Sequence, residues 1–334
     1  MKITVLGSGA WGTALSVLLN DNGHDVTLWS FLAEETETLK KTHENPMLKG
    51  VTLPESLTFV NNFESLPDSE LVVFATPSFA VRQTAKAAAP FLKEGTVLVS
   101  VTKGIEANTG LRMTEIIQQE VGDKCKVVAL SGPSHAEEVG RKIPTGVVAA
   151  CPDLEVAQFV QNTFMSPVFR VYTNPDIVGV ELGGALKNVI ALCCGVSDGM
   201  GLGDNTKALM MTRGMTEMAR LGVAMGGQSD TFAGLSGMGD LIVTCTSMHS
   251  RNRRAGILVG QGKSAQEAMK EVGAVVEGYY AADSAYMLAE KMGVDMPICR
   301  CAYEVLYQGK HVEEVVNELM GRAKKDELLE RTWL

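Results

Sequence analysis

The stretch Gly7-Ser8-Gly9-Ala10-Trp11-Gly12 decides the fold, because it lies between a β-branched run at Ile3–Leu6 and a helical pattern at Thr13–Asn20. In this context the first glycine allows a tight turn, the second lets the backbone approach a pyrophosphate, and the third lets helix and strand pack closely. The helix N-terminus adds unpaired N–H groups and a positive dipole end. We therefore predict a dinucleotide-binding loop, with a glycine turn in some other strand–helix–strand unit as the alternative.

Short β-branched runs alternate with helical stretches through the first half of the chain. They lie at residues 3–6, 26–29, 71–74, 96–99, 126–130 and 146–149. Runs of this kind, without strict polar alternation, predict a parallel sheet that is buried on both faces. After about Asp176 the runs stop and Ala, Leu, Met and Gly recur at helical spacing. We predict an α/β protein in which an N-terminal Rossmann-type doubly wound sheet, residues 1–175, precedes an all-α domain, residues 176–334.

The composition describes a soluble globular chain and excludes several classes of protein. Its 334 residues suit about two domains, and a formal net charge of −9 lacks the basic footprint of a nucleic-acid-binding protein. Neither a run of about 18 apolar residues nor a signal peptide is evident, so we expect no membrane insertion and a cytoplasmic location. The seven cysteines and five histidines show neither zinc spacing nor a disulfide framework, so we expect reduced core thiols and no metal.

The second predicted strand ends at Trp29-Ser30-Phe31, where an NAD site usually has Asp or Glu against the adenosine ribose. No acid stands in this tripeptide, so a charge that repels a 2′-phosphate is missing. No Arg stands there to attract the phosphate either. The sequence therefore admits NADH and NADPH, and we predict a slight preference for NADPH.

Three later strands end in polar or turn residues, and ligands of such sheets bind at the carboxyl ends of strands. These segments are Thr76-Pro77-Ser78, Thr102-Lys103-Gly104 and Ser131-Gly132-Pro133-Ser134. They predict a crevice with Lys103 and Ser134 at its edge. The alternative for Lys103 is a solvated loop lysine. The alternative for Ser134 is a helix cap, because Ser134 and Glu137 fit a capping box.

Residues 180–194, VELGGALKNVIALCC, are apolar nearly all round, which is typical of a helix buried between other elements. The neighbours of Lys187 at helical spacing are small: Gly183, Gly184, Ala191 and Cys194. Lysine is rarely buried without a partner, so we predict that Lys187 faces a ligand space; a lysine that reaches solvent from a helix end is the alternative. Burial and a second cation such as Lys103 would lower the pKa of Lys187, which suits proton exchange with a carbonyl oxygen.

Two further segments supply a candidate orienting acid and a candidate anion site. Asp240, which ends Gly237-Met238-Gly239-Asp240, is a candidate to orient Lys187, or else a turn or cap residue. Ser250-Arg251-Asn252-Arg253-Arg254 precedes a helical stretch, with Ser250 as the candidate N-cap. Three arginines at a helix start favour a bound phosphate and are unfavourable there without an anion. The alternative is a solvated basic face, to which Arg253 and Arg254 are assigned.

Several blocks together resemble bacterial NAD(P)-dependent glycerol-3-phosphate dehydrogenases. They are GSGAWGTAL at 7–15, VTKGIE at 101–106, SGPSHAEE at 131–138, VYTNPDIVGVELGGALKNVIAL at 171–192, GLSGMGDLIVTCTSMHSRNRR at 234–254 and VVEGYY at 275–280. The match runs in order from about residue 1 to residue 325. It implies the family's fold, a Rossmann-type domain followed by a helical domain.

The resemblance also implies roles for single residues. Lys187 matches the family's proton-transfer lysine. Glycerol-phosphate contacts are implied at Lys103, Gly132, Ser134, Asp240, Ser250, Arg251 and Asn252. Cofactor contacts are implied at Ala10, Trp11, Phe31, Ala136, Val275 and Glu277, beside the glycines Gly7, Gly9 and Gly12, and Lys103 and Arg251 are placed near both ligands. Two positions depart from the family pattern: Phe31 stands where relatives can carry a polar or basic residue, and Glu181 stands where Gln also occurs.

The implied reaction is reversible hydride transfer between NAD(P)H and dihydroxyacetone phosphate, which gives sn-glycerol 3-phosphate for phospholipid synthesis. The spacing of the residues by itself indicates only a phosphorylated or anionic carbonyl compound. Two alternatives stay open: a related 2-hydroxyacid or sugar-acid dehydrogenase, whose arginines would face a carboxylate, and a redox sensor that binds dinucleotide without turnover. The expected partner is a small phosphorylated ketone, and a homodimer is the working expectation for the oligomer.

Overall fold

A computed structural model describes residues 1–324, 326 and 327. Eight strands in this part form one sheet with the order β3-β2-β1-β4-β5-β6-β7-β8. The strands are β1 Lys2–Leu6, β2 Asp25–Trp29, β3 Thr58–Val60, β4 Leu71–Phe74, β5 Val97–Ser100, β6 Lys126–Ser131, β7 Thr145–Ala150 and β8 Phe169–Asn174. Neighbouring strands are parallel except that β7 runs antiparallel to β6. The wholly parallel sheet that we predicted is therefore wrong at this pair.

Helices accompany the sheet and then make up the rest of the described chain. In the sheet half they are α1 Ala10–Asp21, α2 Ala33–Thr42, α3 Val81–Ala88, α4 Met113–Val121, α5 Ala136–Gly140 and α6 Leu154–Phe164. After β8 they are α7 Ile177–Gly199, α8 Gly203–Ala224, α9 Ser229–Phe232, a π-helical turn Leu235–Gly239, α10 Asp240–Thr246, α11 Arg251–Gly260, α12 Ala265–Val272, α13 Glu277–Met292, α14 Pro297–Gln308 and α15 Val312–Met320. The predicted fold class, a Rossmann-type sheet followed by helices, is confirmed. The predicted end of the helical domain, residues 325 and 328–334, lies outside the described residues.

Strand β4 shows why the sheet strands lack polar alternation. Leu71 and Val73 pack in a core that includes residues of α1 and α6, whereas Val72 and Phe74 pack in a second core that includes residues of α3 and α4. All four side chains are fully buried. Because successive side chains of a strand point to opposite faces, a strand covered on both faces is apolar at every position.

The order of the strands places the ligand crevice. The chain passes from β1 to β2 on one side and reaches β4 on the other side of β1, so the strand order reverses at β1. Open α/β sheets bind ligands at such a reversal, beyond the carboxyl ends of the strands. The glycine loop directly follows β1 and therefore lies at this point.

Helix α7 is the central element of the helical half. It is long and apolar enough to cross a bilayer, yet most of its apolar stretch is buried within the protein. It packs against α8, α10, α11 and α13. Glycines bring α7 and α11 into backbone contact: a Cβ on Gly195 would lie 2.2 Å from the Arg253 carbonyl oxygen, and a Cβ on Gly256 would lie 2.0 Å from that of Leu192. This packing holds the start of α11 beside the C-terminal half of α7.

Candidate active site

The glycine loop leaves β1 at Gly7 and starts α1 at Ala10, three residues before the predicted start. Gly7 has a φ of +123°, and a Cβ on it would lie 2.7 Å from the Ala75 carbonyl oxygen. A Cβ on Gly12 would lie 2.0 Å from the Gly7 oxygen, so both positions exclude side chains. A Cβ on Gly9, in contrast, would meet nothing within 4 Å among the described atoms. The helix N-terminus therefore opens onto free space, and this loop fits a pyrophosphate.

The loop is held in place by buried polar side chains that the sequence analysis missed. Asn45 Nδ2 donates to the Ser8 carbonyl oxygen at 2.7 Å and to Thr13 Oγ1 at 2.6 Å. Ser30, which follows β2, donates from Oγ to Glu35 Oε2 at 2.6 Å. A carboxylate thus stands at the end of β2 after all, and it comes from α2. We based the preference for NADPH on the lack of an acid at the end of β2. Glu35 supplies an acid there, so that basis is lost.

The predicted lysines meet at one carboxylate. Lys187 Nζ donates to Asp240 Oδ1 at 3.0 Å, and Lys103 Nζ donates to Asp240 Oδ2 at 2.6 Å. Lys103 also donates to the carbonyl oxygen of Gly132 at 2.8 Å. The side chain of Lys187 is only 7% exposed and that of Asp240 2%. The structure therefore brings together the ends of β5 and β6, the middle of α7 and the start of α10. The ammonium group of Lys187 does not reach bulk solvent.

Charge and burial together set the protonation of these groups. Burial, helped by the charge of Lys103, lowers the pKa of Lys187 to about 8, although Asp240 opposes the shift. Burial alone would raise the pKa of Asp240, but the two ammonium groups outweigh it and hold this pKa below its usual value. A carboxylate between two lysines stays ionised, and Lys187 can gain or lose a proton near neutral pH.

Two glycines of α7 that we predicted to border a ligand space are packed against protein atoms. A Cβ on Gly184 would lie 2.6 Å from Ser131 Oγ and 3.4 Å from Lys103 Cγ. A Cβ on Gly183 would lie 2.9 Å from the Ser236 carbonyl oxygen. Glycine at both positions therefore lets the strand-end loops and the π-helical turn approach α7 directly.

The loop after β6 lies beside this cluster. Gly132 has a φ of +146°, and a Cβ on it would lie 2.9 Å from Val147 Cα. Ser134 Oγ donates to the Gly132 carbonyl oxygen at 2.9 Å. The capping box that we weighed for Ser134 is not formed, because α5 begins at Ala136 with His135 as its N-cap. Ser134 therefore stays in the loop next to the oxygen that Lys103 binds.

The three arginines of this segment differ in burial: Arg251 is exposed, and Arg253 and Arg254 are half-buried. Ser250 Oγ accepts from the Arg253 backbone N–H at 3.1 Å, so the predicted N-cap is confirmed. Arg251 is exposed at the start of α11 and forms no ion pair with any described residue. Arg253 is bound to Asp198 by an Nε–Oδ2 contact of 2.8 Å, so its assignment to a solvated face is wrong. Arg251 is the guanidinium that an anion can reach.

Asn252 and Glu277 connect the cluster to the rest of the crevice. Asn252 Nδ2 donates to Asn188 Oδ1 at 2.8 Å, and its Oδ1 accepts from the Gly278 N–H at 2.8 Å. Glu277 accepts from Ser78 Oγ at 2.6 Å and from the Ser78 N–H at 3.1 Å. Burial raises the pKa of the Glu277 carboxyl despite these bonds. The start of α13 is thereby joined to the loop that follows β4.

The other predicted cofactor residues lie around the glycine loop or near α13. Phe31, after β2, is 71% exposed, Ala10 and Trp11 are half-buried at the start of α1, Ala136 starts α5, and Val275 precedes α13. The Phe31 carbonyl oxygen accepts from Asn61 Nδ2, and Ala136 is buried in the core. The exposed ring of Phe31 and the half-buried Ala10 and Trp11 stay accessible to a ligand.

Thr244 is a site residue that sequence reasoning missed. Its Oγ1 accepts from Lys187 Nζ at 2.6 Å and donates to the Asp240 carbonyl oxygen at 2.6 Å. The sequence did contain a signal for Thr244: it follows the candidate acid Asp240 by four residues and so lies on the same face of α10. Ser78, the partner of Glu277, had no such signal, since 199 residues separate the two.

Comparison with known proteins shows the family of this chain. The family model for the N-terminal part of NAD-dependent glycerol-3-phosphate dehydrogenase matches residues 2–157, and the model for its C-terminal part matches residues 176–317. The chain belongs to the NAD-dependent glycerol-3-phosphate dehydrogenase family. The predicted enzyme class, an NAD(P)-dependent oxidoreductase, is confirmed with it.

Similar proteins of the family match along their whole length. A glycerol-3-phosphate dehydrogenase [NAD(P)+] from Moorella thermoacetica is 53% identical, with 99% of each chain covered. The enzyme of that name from Fusobacterium nucleatum is 52% identical, with 98% of this chain and 99% of the relative covered. A crystal structure of glycerol-3-phosphate dehydrogenase from Coxiella burnetii has a TM-score of 0.93 at 35% identity, with 96% of this chain and 99% of that chain covered.

Proposed function

We propose that this chain catalyses the reversible reduction of dihydroxyacetone phosphate to sn-glycerol 3-phosphate with NAD(P)H. Family membership supports the substrate. The single observation that carries the chemistry is the buried Lys187 ammonium, which is bound to Asp240 beside the strand ends that border the glycine loop. The same family membership argues against a 2-hydroxyacid dehydrogenase and against a redox sensor without turnover.

Lys187 acts as the proton donor in ketone reduction and as the acceptor in the reverse reaction. A bound reduced nicotinamide supplies the hydride. An ammonium group has three donors, and two described acceptors, Asp240 and Thr244, bind Lys187, so one donor is left for the substrate oxygen. The positive charge stabilises that oxygen as it becomes negative, and a pKa of about 8 lets the nitrogen exchange the proton at neutral pH.

Asp240 and Lys103 position this donor. The Asp240 carboxylate holds both ammonium groups, so Lys187 cannot turn away from the crevice without losing an ion pair. Lys103, at the end of β5, adds a second positive charge near the same oxygen. Gly132 and Ser134 are assigned to the substrate because their loop lies within reach of Lys103.

The substrate phosphate is assigned to the start of α11. Arg251 offers an exposed guanidinium, and the N-terminus of α11 adds backbone N–H donors. Ser250 and Asn252 belong to the same turn, where Ser250 caps the helix and Asn252 fixes its position against α7. Of Ser250, Arg251 and Asn252, only Arg251 is charged, so we assign it the largest share of phosphate binding.

The cofactor is assigned to the glycine loop and the residues around it. Gly7, Gly9 and Gly12 hold the pyrophosphate at the start of α1, beside Ala10 and Trp11. The remaining assigned cofactor residues, which the family resemblance implies, are Phe31, Lys103, Ala136, Arg251, Val275 and Glu277. The slight preference for NADPH is not proposed, because Glu35 supplies the acid whose absence suggested it.

Several broader expectations stay proposals. The product would feed glycerophospholipid synthesis, the protein would act in the cytoplasm, and it would form a homodimer. We place the domain boundary near residue 175, between the end of β8 at Asn174 and the start of α7 at Ile177.

An initial-rate assay tests the proposed function. We expect NAD(P)H consumption with dihydroxyacetone phosphate and no reduction of NAD(P)+ with 2-hydroxy acids. The unphosphorylated ketone dihydroxyacetone serves as the matched control for the phosphate, and we expect it to be a poor substrate. Turnover of hydroxy acids without turnover of dihydroxyacetone phosphate would contradict the proposal.

A further inference from the structure

Glu35 occupies a position that its place in the sequence does not reveal. It lies in the first turn of α2 and is half-buried, between the exposed Glu34 and the buried Thr36. Its Oε2 accepts from Ser30 Oγ at 2.6 Å and lies 3.1 Å from Ser8 Oγ. The two hydroxyls are themselves 2.8 Å apart. Glu35 therefore closes a cluster that joins the glycine loop, the end of β2 and the start of α2.

This cluster lies where the adenosine ribose of a dinucleotide binds. Ser8 belongs to the glycine loop and Ser30 is the residue directly after β2. In a Rossmann-type site the acid that accepts from the ribose 2′-hydroxyl stands at the end of β2. The two serines contact only Oε2, so Oε1 has no hydrogen bond from any described residue. A ribose hydroxyl can donate to this free oxygen.

The segments next to Glu35 in the sequence and in the sheet supply no cation for a 2′-phosphate. Residues 8–16, 30–39 and 60–65 contain no Lys, Arg or His. The residues that follow Ser30 are instead apolar and exposed: Phe31 is 71% exposed and Leu32 52%. Asn61 fixes this turn by donating from Nδ2 to the carbonyl oxygens of Ser30 and Phe31.

We propose that Glu35 makes this chain select NADH over NADPH. A carboxylate accepts a hydrogen bond from a ribose hydroxyl but repels a 2′-phosphate, which carries about −1.5 to −2 charges at pH 7. Like charges about 4 Å apart in a partly solvated site disfavour binding by about 10- to 100-fold. The inference rests on the proposed function only in placing the cofactor at the glycine loop.

The test compares binding and turnover of the two cofactors in the full-length protein. Dissociation constants for NADH and NADPH are measured by titration of nicotinamide fluorescence, without substrate, and kcat/KM for each cofactor is measured with dihydroxyacetone phosphate. We expect the wild-type protein to favour NADH by about tenfold or more in both measurements. Glu35→Gln keeps the shape and removes the charge, so the preference should fall by about tenfold.

Glu34→Gln is the matched control, because it makes the same charge change in the same helical turn on an exposed side chain. It should leave the ratio of the two dissociation constants within about twofold of the wild-type ratio, since an exposed charge is screened. Equal or tighter binding of NADPH by the wild-type protein would overturn the inference, and so would equal effects of the two substitutions. Selective binding of NADH without turnover of dihydroxyacetone phosphate would support this inference and contradict the proposed function.

Discussion

Helix α7 carries two buried charged residues that behave differently. Glu181 accepts from Arg112 Nη1 at 2.5 Å, from Thr114 Oγ1 at 2.5 Å and from the Thr114 N–H at 2.9 Å. Lys187, six residues later, binds Asp240 and Thr244. Both side chains are nearly inaccessible, and both lie where the helical half meets the sheet half.

Glu181 and Lys187 differ in whether the charged group still has a free hydrogen-bonding atom. Both oxygens of Glu181 are bound, and its partner Arg112 lies in the turn that starts α4, so this pair joins the two halves of the chain. Burial raises the pKa of Glu181, and Arg112 and Thr114 act against that shift. Lys187 keeps one donor, and its partner Asp240 is shared with Lys103. Burial alone does not make a charged residue catalytic, and the role proposed for Lys187 rests on its free donor beside the crevice.

Removal of Lys187 should have the largest effect. Lys187→Ala is expected to lower kcat by about 10²- to 10⁴-fold, because the substrate oxygen loses its proton donor. The dissociation constant of the cofactor, measured by fluorescence titration, should change little. Lys207→Ala is the matched control, since Lys207 is also a largely buried, ion-paired lysine of the helical half. Unchanged turnover in Lys187→Ala would eliminate the assignment.

Removal of Glu181 should instead lower stability. Glu181→Ala leaves Arg112 buried without its carboxylate, and loss of one partner of a buried pair costs about 3–5 kcal/mol. The free energy of unfolding, from denaturant titration, should fall by that amount, while kcat of the folded enzyme stays within about threefold of the wild-type value. Glu181→Gln should be milder, since its amide oxygen can still accept from Thr114. A loss of kcat without a loss of stability would show that the two sites do not differ as described.

Removal of Arg251 should have a smaller and more selective effect. Arg251→Ala is expected to raise KM for dihydroxyacetone phosphate by about 10- to 100-fold, the cost of one charge-assisted contact to phosphate. The KM for the cofactor should rise far less. Arg254→Ala removes a half-buried arginine of the same helix and is the control. Equal increases in both KM values would argue against a role in binding the substrate phosphate.

The sequence predicts the parts of the molecule that local patterns determine. β4 is apolar at every position because it is buried on both faces, and the glycine loop needs small residues at Gly7 and Gly12 for contacts within a single strand–turn–helix unit. Lys187 stands out because it interrupts an apolar helix. The structure confirms each of these features.

Other features depend on contacts between distant segments, and the sequence analysis missed them or was wrong about them. The direction of β7 is set by its pairing with β6. The apolar pattern of β7 does not indicate whether the strand is parallel or antiparallel. β3 has only three residues, too few for a periodic signal. Arg253 is fixed because α7 places Asp198 beside it. Glu35 is a local exception: it stands five residues after Ser30, and only the turn before α2 brings it to the end of β2.

The pH dependence of the two reaction directions tests the central claim most directly. With the pKa of Lys187 lowered to about 8, the group is protonated below this pH and neutral above it. At saturating substrates, kcat for ketone reduction should therefore fall as the pH rises through about 8, and kcat for alcohol oxidation should rise over the same range. Profiles that show no inflection between pH 7 and 9, or that move in the same direction, would contradict a proton exchanged by Lys187.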